Sequence, residues 1–281
     1  MEATRLGFSI LRLKALMVSE RLTKPRARTE QAPVNIEWQR LLNEALTLEP
    51  GELTSYNRFY NYSLLNQLLL HSQGARGPVA TYAKWQELGR QVQKGSKAKA
   101  ILRPIFYKDT NDQGEEEQQV KGFKMVNCLF TASETEGDDL PEYEPPTWSK
   151  QRALGALAIA QVDFEEINGN IAGYSYDRNL AINPVAKYPF KTLHHELGHI
   201  ILGHTSETGA EEYRRHRGLM EFQAESTAYL AMNELDTTDQ FDAAESRAYI
   251  RGWLKDEEPE DAAIKQVFGA TDKILKAGRQ G

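Results

Sequence analysis

The chain has 281 residues, of which 40% are hydrophobic, and 34 Lys and Arg stand against 40 Asp and Glu. That length and apolar content suffice for two cores or one large one, and no unbroken apolar run of about 18 residues exists to span a membrane. The single cysteine, Cys128, excludes a disulfide framework within the chain and fits a reducing cytoplasm.

The net charge of −6 conceals a division. Residues 1–130 carry 19 Lys and Arg against 13 Asp and Glu, whereas residues 131–281 carry 15 against 27. Such an asymmetry points to different partners for the two halves. Residues 1–32 form a basic arm (Arg5, Arg12, Lys14, Arg21, Lys24, Arg26, Arg28) in which charges interrupt every apolar run. No secretory apolar region is present, and Glu2 and Glu20 argue against a mitochondrial transit segment. A mobile arm, or a partly helical tail within residues 11–22, is expected.

Helical spacing follows from Ile36 to Leu70, with Trp38, Leu41, Leu42 and Ala45 and then Leu64, Leu65, Leu68 and Leu69 recurring at three and four. Between them, Arg58, Tyr60, Asn61, Tyr62 and Asn66 offer rings for base stacking and polar groups for phosphates or base edges. A helix containing Trp85 is expected from Tyr82 to Gly89. Next comes a basic stretch with Arg90, Lys94, Lys97, Lys99 and Arg103, a turn at Gly95 and a strand over residues 98–107. Basic residues beside aromatics are the footprint expected for single-stranded nucleic acid. A polar loop is expected over 109–119 and a strand over 122–130, where Cys128 is a core residue. The acidic, proline-containing stretch with Glu134, Glu136, Asp138, Asp139, Glu142 and Glu144 has the composition of a linker.

Residues 171–183 show two strand patterns around the polar turn Asp177-Arg178-Asn179. The edge of this hairpin could accept an extended peptide as an added strand, and Tyr174 or Tyr176 could offer a hydroxyl to a developing oxyanion. The next helix, beginning near Phe190, contains His195-Glu196-Leu197-Gly198-His199. Histidines four apart share one helix face and reach one metal ion, and Glu196 beside them is placed to take a proton from the attacking water. The metzincin continuation is absent, because Leu202 and Thr205 occupy its Gly and His places. His204, five residues after His199, lies off register on an ideal helix. The remaining solution is a Glu from a second helix. Glu221 is assigned as third ligand and Glu225 as the group orienting a histidine. These two could exchange roles, and His204 or His216 stays an outside candidate.

Two blocks of the first half, Phe59–Asn66 and Trp85–Lys97 with Ile101–Pro104, resemble the N-terminal single-stranded-DNA-binding domain of ArdC-type antirestriction proteins. The blocks His195–His199 and Glu221–Glu225, with Tyr249–Leu254 as closing helix, resemble that family's zincin-like metallopeptidase domain, related to the ImmA/IrrE peptidases. The resemblance spans roughly residues 35–275. It implies a protein of a plasmid, phage or other mobile element that shields incoming DNA from restriction.

The expectation is an α+β chain. A basic arm (1–32) precedes a basic mixed α/β nucleic-acid-binding domain (33–131). An acidic linker (132–148) leads to a mainly helical zincin-like metallopeptidase domain with a small β-hairpin (149–281). One Zn²⁺ per chain, single-stranded DNA and a protein substrate such as a host restriction or regulatory protein are the expected partners, in the cytoplasm. Two alternatives stand beside it: a DNA-binding protein whose metal site is structural, and an ImmA-like protease cleaving a repressor.

Overall fold

Amphipathic spacing in Trp38–Ala45 forms helix α1, which buries Leu41, Leu42 and Ala45. The computed structural model describes residues 36–110, 116–165, 170–254 and 258–279, so the basic arm expected at 1–32 lies outside it. Helical periodicity does not persist through the tyrosine-rich stretch. Thr54–Arg58 is a 3₁₀ turn, residues 59–63 are irregular, and helix α2 (Leu64–Ser72) starts where Ser63 caps the amide of Asn66. Aromatic residues and a Ser-led cap win there over continuation of the helix.

Strand β1 (Val79–Thr81) leads directly into helix α3 (Tyr82–Glu87), capped by Thr81. Strand β2 (Arg90–Val92) pairs antiparallel with β5 (Thr135–Gly137). The intervening strands β3 (Lys99–Thr110) and β4 (Glu116–Thr131) form a long antiparallel hairpin, and β1 joins the other edge of β4. The hairpin strands thus reach further into 109–119 than a polar loop would. Register shifts at Lys99/Ala100 and Ile105/Phe106 mark where the hairpin leaves the body. The stretch expected as a linker opens with a 3₁₀ turn (Ala132–Glu134), and β5 follows at once.

Helix α4 (Lys150–Ala156) precedes a second small sheet of order β6-β8-β7. Its strands are β6 (Ala160–Gln161), β7 (Gly173–Tyr176) and β8 (Asn179–Ile182), with β7 antiparallel to β8 and β6 parallel to it. The turn between β7 and β8 places Asp177 at a φ of 48°. Four helices complete the chain: α5 (Pro189–Leu202), α6 (Glu207–Glu234, kinked at His216), α7 (Ala243–Leu254) and α8 (Asp261–Gly278).

The architecture is α+β. One core joins α1 and α2 (Leu41, Leu42, Leu64, Leu68) to α6 and α8 (Phe222, Tyr229, Ile264, Phe268). A second core packs Leu193, Leu197 and Ile200 of α5 against Leu180 of β8 and Ile274 of α8. Polar ties follow the same route. Asp272 accepts from the Leu64 amide at 2.7 Å, the Tyr229 hydroxyl donates to the Leu46 carbonyl at 3.0 Å, and Glu234 receives both Asn57 and Arg279. Residues 35–281 accordingly cluster as one compact unit. Among the described residues no helix is long and apolar enough to cross a membrane.

Candidate metal centre and nucleic-acid interface

Helix α5 begins with Pro189 in its first turn and ends at Gly203, which takes a left-handed φ of 81°. Gly198 is the point of closest approach to α6: a Cβ there would stand 3.1 Å from the Ala224 carbonyl oxygen and 3.2 Å from its Cα. A glycine between Leu197 and His199 therefore lets the two helix backbones close up, which brings Glu221 over the two histidines. The Nε2 atoms of His195 and His199 are 3.1 Å apart, and Glu221 Oε2 lies 3.5 Å from the first and 3.9 Å from the second. Ligands held about 2.0–2.1 Å from a tetrahedral ion are roughly 3.3 Å apart. These three residues form the group able to hold a metal ion among those described, and their donor set and spacing fit one.

The residues around them orient the rings. His195 Nδ1 lies 3.1 Å from Glu225 Oε2, and Lys191 Nζ forms an ion pair with the other oxygen of Glu225 at 2.6 Å. Burial opposes a charge on His195, but hydrogen bonds to Glu221 and Glu225 outweigh it and raise its pKa to about 10 in the metal-free chain. Burial, seconded by the charge of His195, pushes His199 down to about 3. Glu225 is likewise buried, yet its bonds with His195 and Lys191 hold its carboxyl below the usual range.

Glu196 is buried and accepts a 2.6 Å hydrogen bond from the Ser175 hydroxyl of β7. Desolvation raises its pKa above the ordinary value, although the charge of His195 and the bond from Ser175 act against that rise. These groups line one cleft of about 750 Å³, with β7 on one wall and Lys191, Arg217 and Tyr249 on the other. Ser175 and Arg217 carried no motif that singled them out, and Tyr249 was noted only within the closing-helix block. Arg217 stands one turn before Glu221 on α6, whereas Ser175 and Tyr249 are brought in by β7 and α7.

Two expectations change here. His204 is not turned away on a continuing helix, because the helix has already ended. The His204 amide bonds the His199 carbonyl and the Gly203 amide bonds that of Ile200, a C-terminal turn that folds His204 back against His199. Tyr174 and Tyr176 line the cleft, but strand alternation puts them on the sheet face opposite Ser175. The Tyr174 hydroxyl lies 3.5 Å from the Asp163 carbonyl, and its ring packs on Phe164 and Tyr176.

The nucleic-acid candidates separate into two groups. Several are committed to the fold. Trp85 is fully buried and donates to the Phe130 carbonyl, so its ring has no face to offer. Tyr62 is buried, and Asn66 exchanges two hydrogen bonds with the Leu102 backbone. Arg90 binds Thr135 and the Asp138 carbonyl, Lys99 pairs with Glu134 at 2.6 Å, and Arg58 stacks over Phe59 and Tyr143. The others face solvent: Tyr60 at 67% exposure, with Asn61, Lys94, Lys97 and Arg103. Gly95, at a φ of 97°, turns the chain between the two lysines, beside a groove formed by Tyr82, Gln91 and Phe130. The β3–β4 hairpin adds aromatics that its sequence did not flag, with Phe106 and Phe123 at 54% and 63% exposure.

Residues 27–135 match the family described as the N-terminal domain of anti-restriction factor ArdC. Those residues, rather less than half of the chain, carry a domain of that type. No curated protein matches the chain significantly. Among solved structures, the chain is similar to the metal-free antirestriction ArdC protein from the R388 plasmid, at 19% identity and a TM-score of 0.46, covering 86% of this chain and 95% of that one. It is similar also to the Mn(II)-bound structure of the same protein, at 17% identity and a TM-score of 0.46, covering 86% and 98%.

Proposed function

We propose that this chain is an antirestriction protein of a mobile element that binds single-stranded DNA and carries a zinc-dependent peptidase centre. The observation that carries the reading is the convergence of His195, His199 and Glu221 beside a buried Glu196 in an open cleft. When bound, the ion would supply Lewis-acid activation of a water and of the scissile carbonyl. A merely structural ion would need neither the carboxylate nor the cleft.

His195, His199 and Glu221 would hold the ion, with Glu225 and Lys191 keeping the His195 ring in place. Ser175 fixes Glu196 through one carboxylate oxygen, and the other serves as the base that takes a proton from water and later delivers it to the leaving amine. Burial raises its pKa, the direction that suits a group which both takes up and gives back a proton. Strand β7 is an edge of its sheet, so an extended peptide can add along it toward Glu196. Lys94, Lys97 and Arg103 supply phosphate contacts, and Tyr60 is a ring on which bases stack. A reducing cytoplasm is the compartment in which both partners, the entering strand and a host restriction or regulatory protein, would be met.

Two variants separate the parts in a plasmid-transfer protection assay. Glu196→Gln should keep the metal and the DNA affinity while lowering peptide hydrolysis about 10²–10⁴-fold. Lys94→Glu/Lys97→Glu should weaken single-strand binding and flatten its salt dependence. Full protection by Glu196→Gln would show that hydrolysis is dispensable. Unchanged strand affinity in the lysine variant, at low and high salt, would refute the nucleic-acid interface.

A further inference from the structure

We propose that His204 is a positioning residue of the metal centre, which, through Gln223, holds His199 in the one neutral tautomer able to bind an ion. The inference rests on the metal reading above but concerns residues outside the ligand set. His199 Nδ1 and His204 Nδ1 are 3.0 Å apart, and His204 Nε2 lies 3.2 Å from Gln223 Oε1. All three side chains are buried. The Gln223 amide nitrogen lies 2.7 Å from Gln266 Oε1 and 3.5 Å from the Ala263 carbonyl, both on α8.

Hydrogen-bond capacity gives this row a direction. A backbone carbonyl only accepts, so the Gln223 nitrogen faces α8 and its oxygen faces His204. That oxygen also only accepts, so the proton of neutral His204 is on Nε2. His204 Nδ1 is then a bare lone pair, and the hydrogen between the two rings belongs to His199 Nδ1. His199 is left with a bare Nε2, the atom 3.1 Å from His195 Nε2 and 3.9 Å from Glu221 Oε2. A metal-binding imidazole is oriented in this manner by a partner for its other nitrogen.

The same geometry decides against His204 as a ligand, because its ring sits at the Nδ1 edge of His199 and the ion site at the Nε2 edge. The two metal-facing histidines are therefore held by unlike means. His195 leans on the Glu225 carboxylate with its Lys191 counter-charge, and His199 on an uncharged row ending at α8. The turn at Gly203 is what makes the second arrangement reachable, since it carries His204 back beneath the helix it has just left.

Long-range ¹H–¹⁵N NMR of the metal-free chain reads the tautomer directly, and chelator competition reads Zn²⁺ affinity. The wild-type chain should show His199 protonated on Nδ1. His204→Phe keeps the ring and removes both nitrogens, and Gln223→Met removes the acceptor. Each should admit the other His199 tautomer and weaken Zn²⁺ by about 10–100-fold. His199 found protonated on Nε2 in the wild type, or Zn²⁺ affinity within about twofold of wild type for both His204→Phe and Gln223→Met, would overturn the proposal. Should His204→Phe fail to fold, Gln223→Met and the wild-type spectrum decide. A wild-type chain that takes up no Zn²⁺ overturns the zinc reading itself, while the spectrum still decides the tautomer.

Discussion

Replacing Glu225 by Gln tests the support of the metal helix with little change of shape. The Glu225 side chain is 2% exposed, lies 2.6 Å from Lys191 Nζ and is 3.1 Å from His195 Nδ1, while Lys191 is 22% exposed. Removing one partner of a buried ion pair costs about 3–5 kcal/mol, and because the amide keeps an acceptor and Lys191 retains some water, about 2 kcal/mol is expected. The sign with pH follows from the depressed carboxyl of Glu225. A carboxyl whose folded pKa is lowered stabilises the fold above its unfolded value, here 4.5, and that contribution is lost as pH falls through the folded value. Urea denaturation of the metal-free proteins should thus show a gap of about 2 kcal/mol near neutral pH that closes in acid. The Zn²⁺ affinity of the variant should drop about 10–100-fold, because His195 loses its charged partner. Equal midpoints near neutral pH, or a gap of the same size in acid, would refute the reasoning.

Gly173→Ala should lower stability by about 1–3 kcal/mol, since the new methyl would meet Thr192 Cγ2 at 2.6 Å and the Ala181 carbonyl at 2.8 Å. Relief requires β7 to move off α5, so peptide hydrolysis should fall as Ser175 leaves Glu196, and unchanged stability and turnover would count against the packing described. His194 is fully buried between Trp148 and Phe190 and is pushed down to about 4 from 6.5 by burial. Stability should therefore decline as pH drops from 6.5 toward 4, by up to about 3 kcal/mol from this group alone. In His194→Phe the pH-dependent unfolding curve should flatten by that amount, and an identical slope would exclude His194 as the source.

The candidate metal ligands were legible because their geometry is local. Two histidines a helical turn apart need no tertiary knowledge, and Glu221 and Glu225 declare themselves by the same spacing on an apolar helix. The return of His204 was hidden by treating α5 as continuing past its end, although Gly203 is the residue type that stops a helix with a left-handed turn. Ser175 could not be found, since its role depends on which face of β7 meets α5. Burial decided the fate of Trp85, and hydrogen bonds to the fold that of the half-buried Asn66 and Arg90. Each has the chemistry of a nucleic-acid contact, and each spends it inside the protein. Phe106 and Phe123 went unnoticed for the opposite reason, because a strand's sequence does not say whether its aromatic residues meet a core or solvent.

Helices α1 and α8 share an interior, and this has a bearing on biosynthesis. Leu64 at the start of α2 finds its Asp272 partner more than 200 residues downstream. Structure built on such distant pairings forms slowly, after a large loss of chain entropy. On the ribosome, the apolar sides of α1 and α2 would emerge long before α8 exists to cover them. A chaperone holding that nascent segment, or transient self-association of it, would then govern how much usable protein a cell obtains.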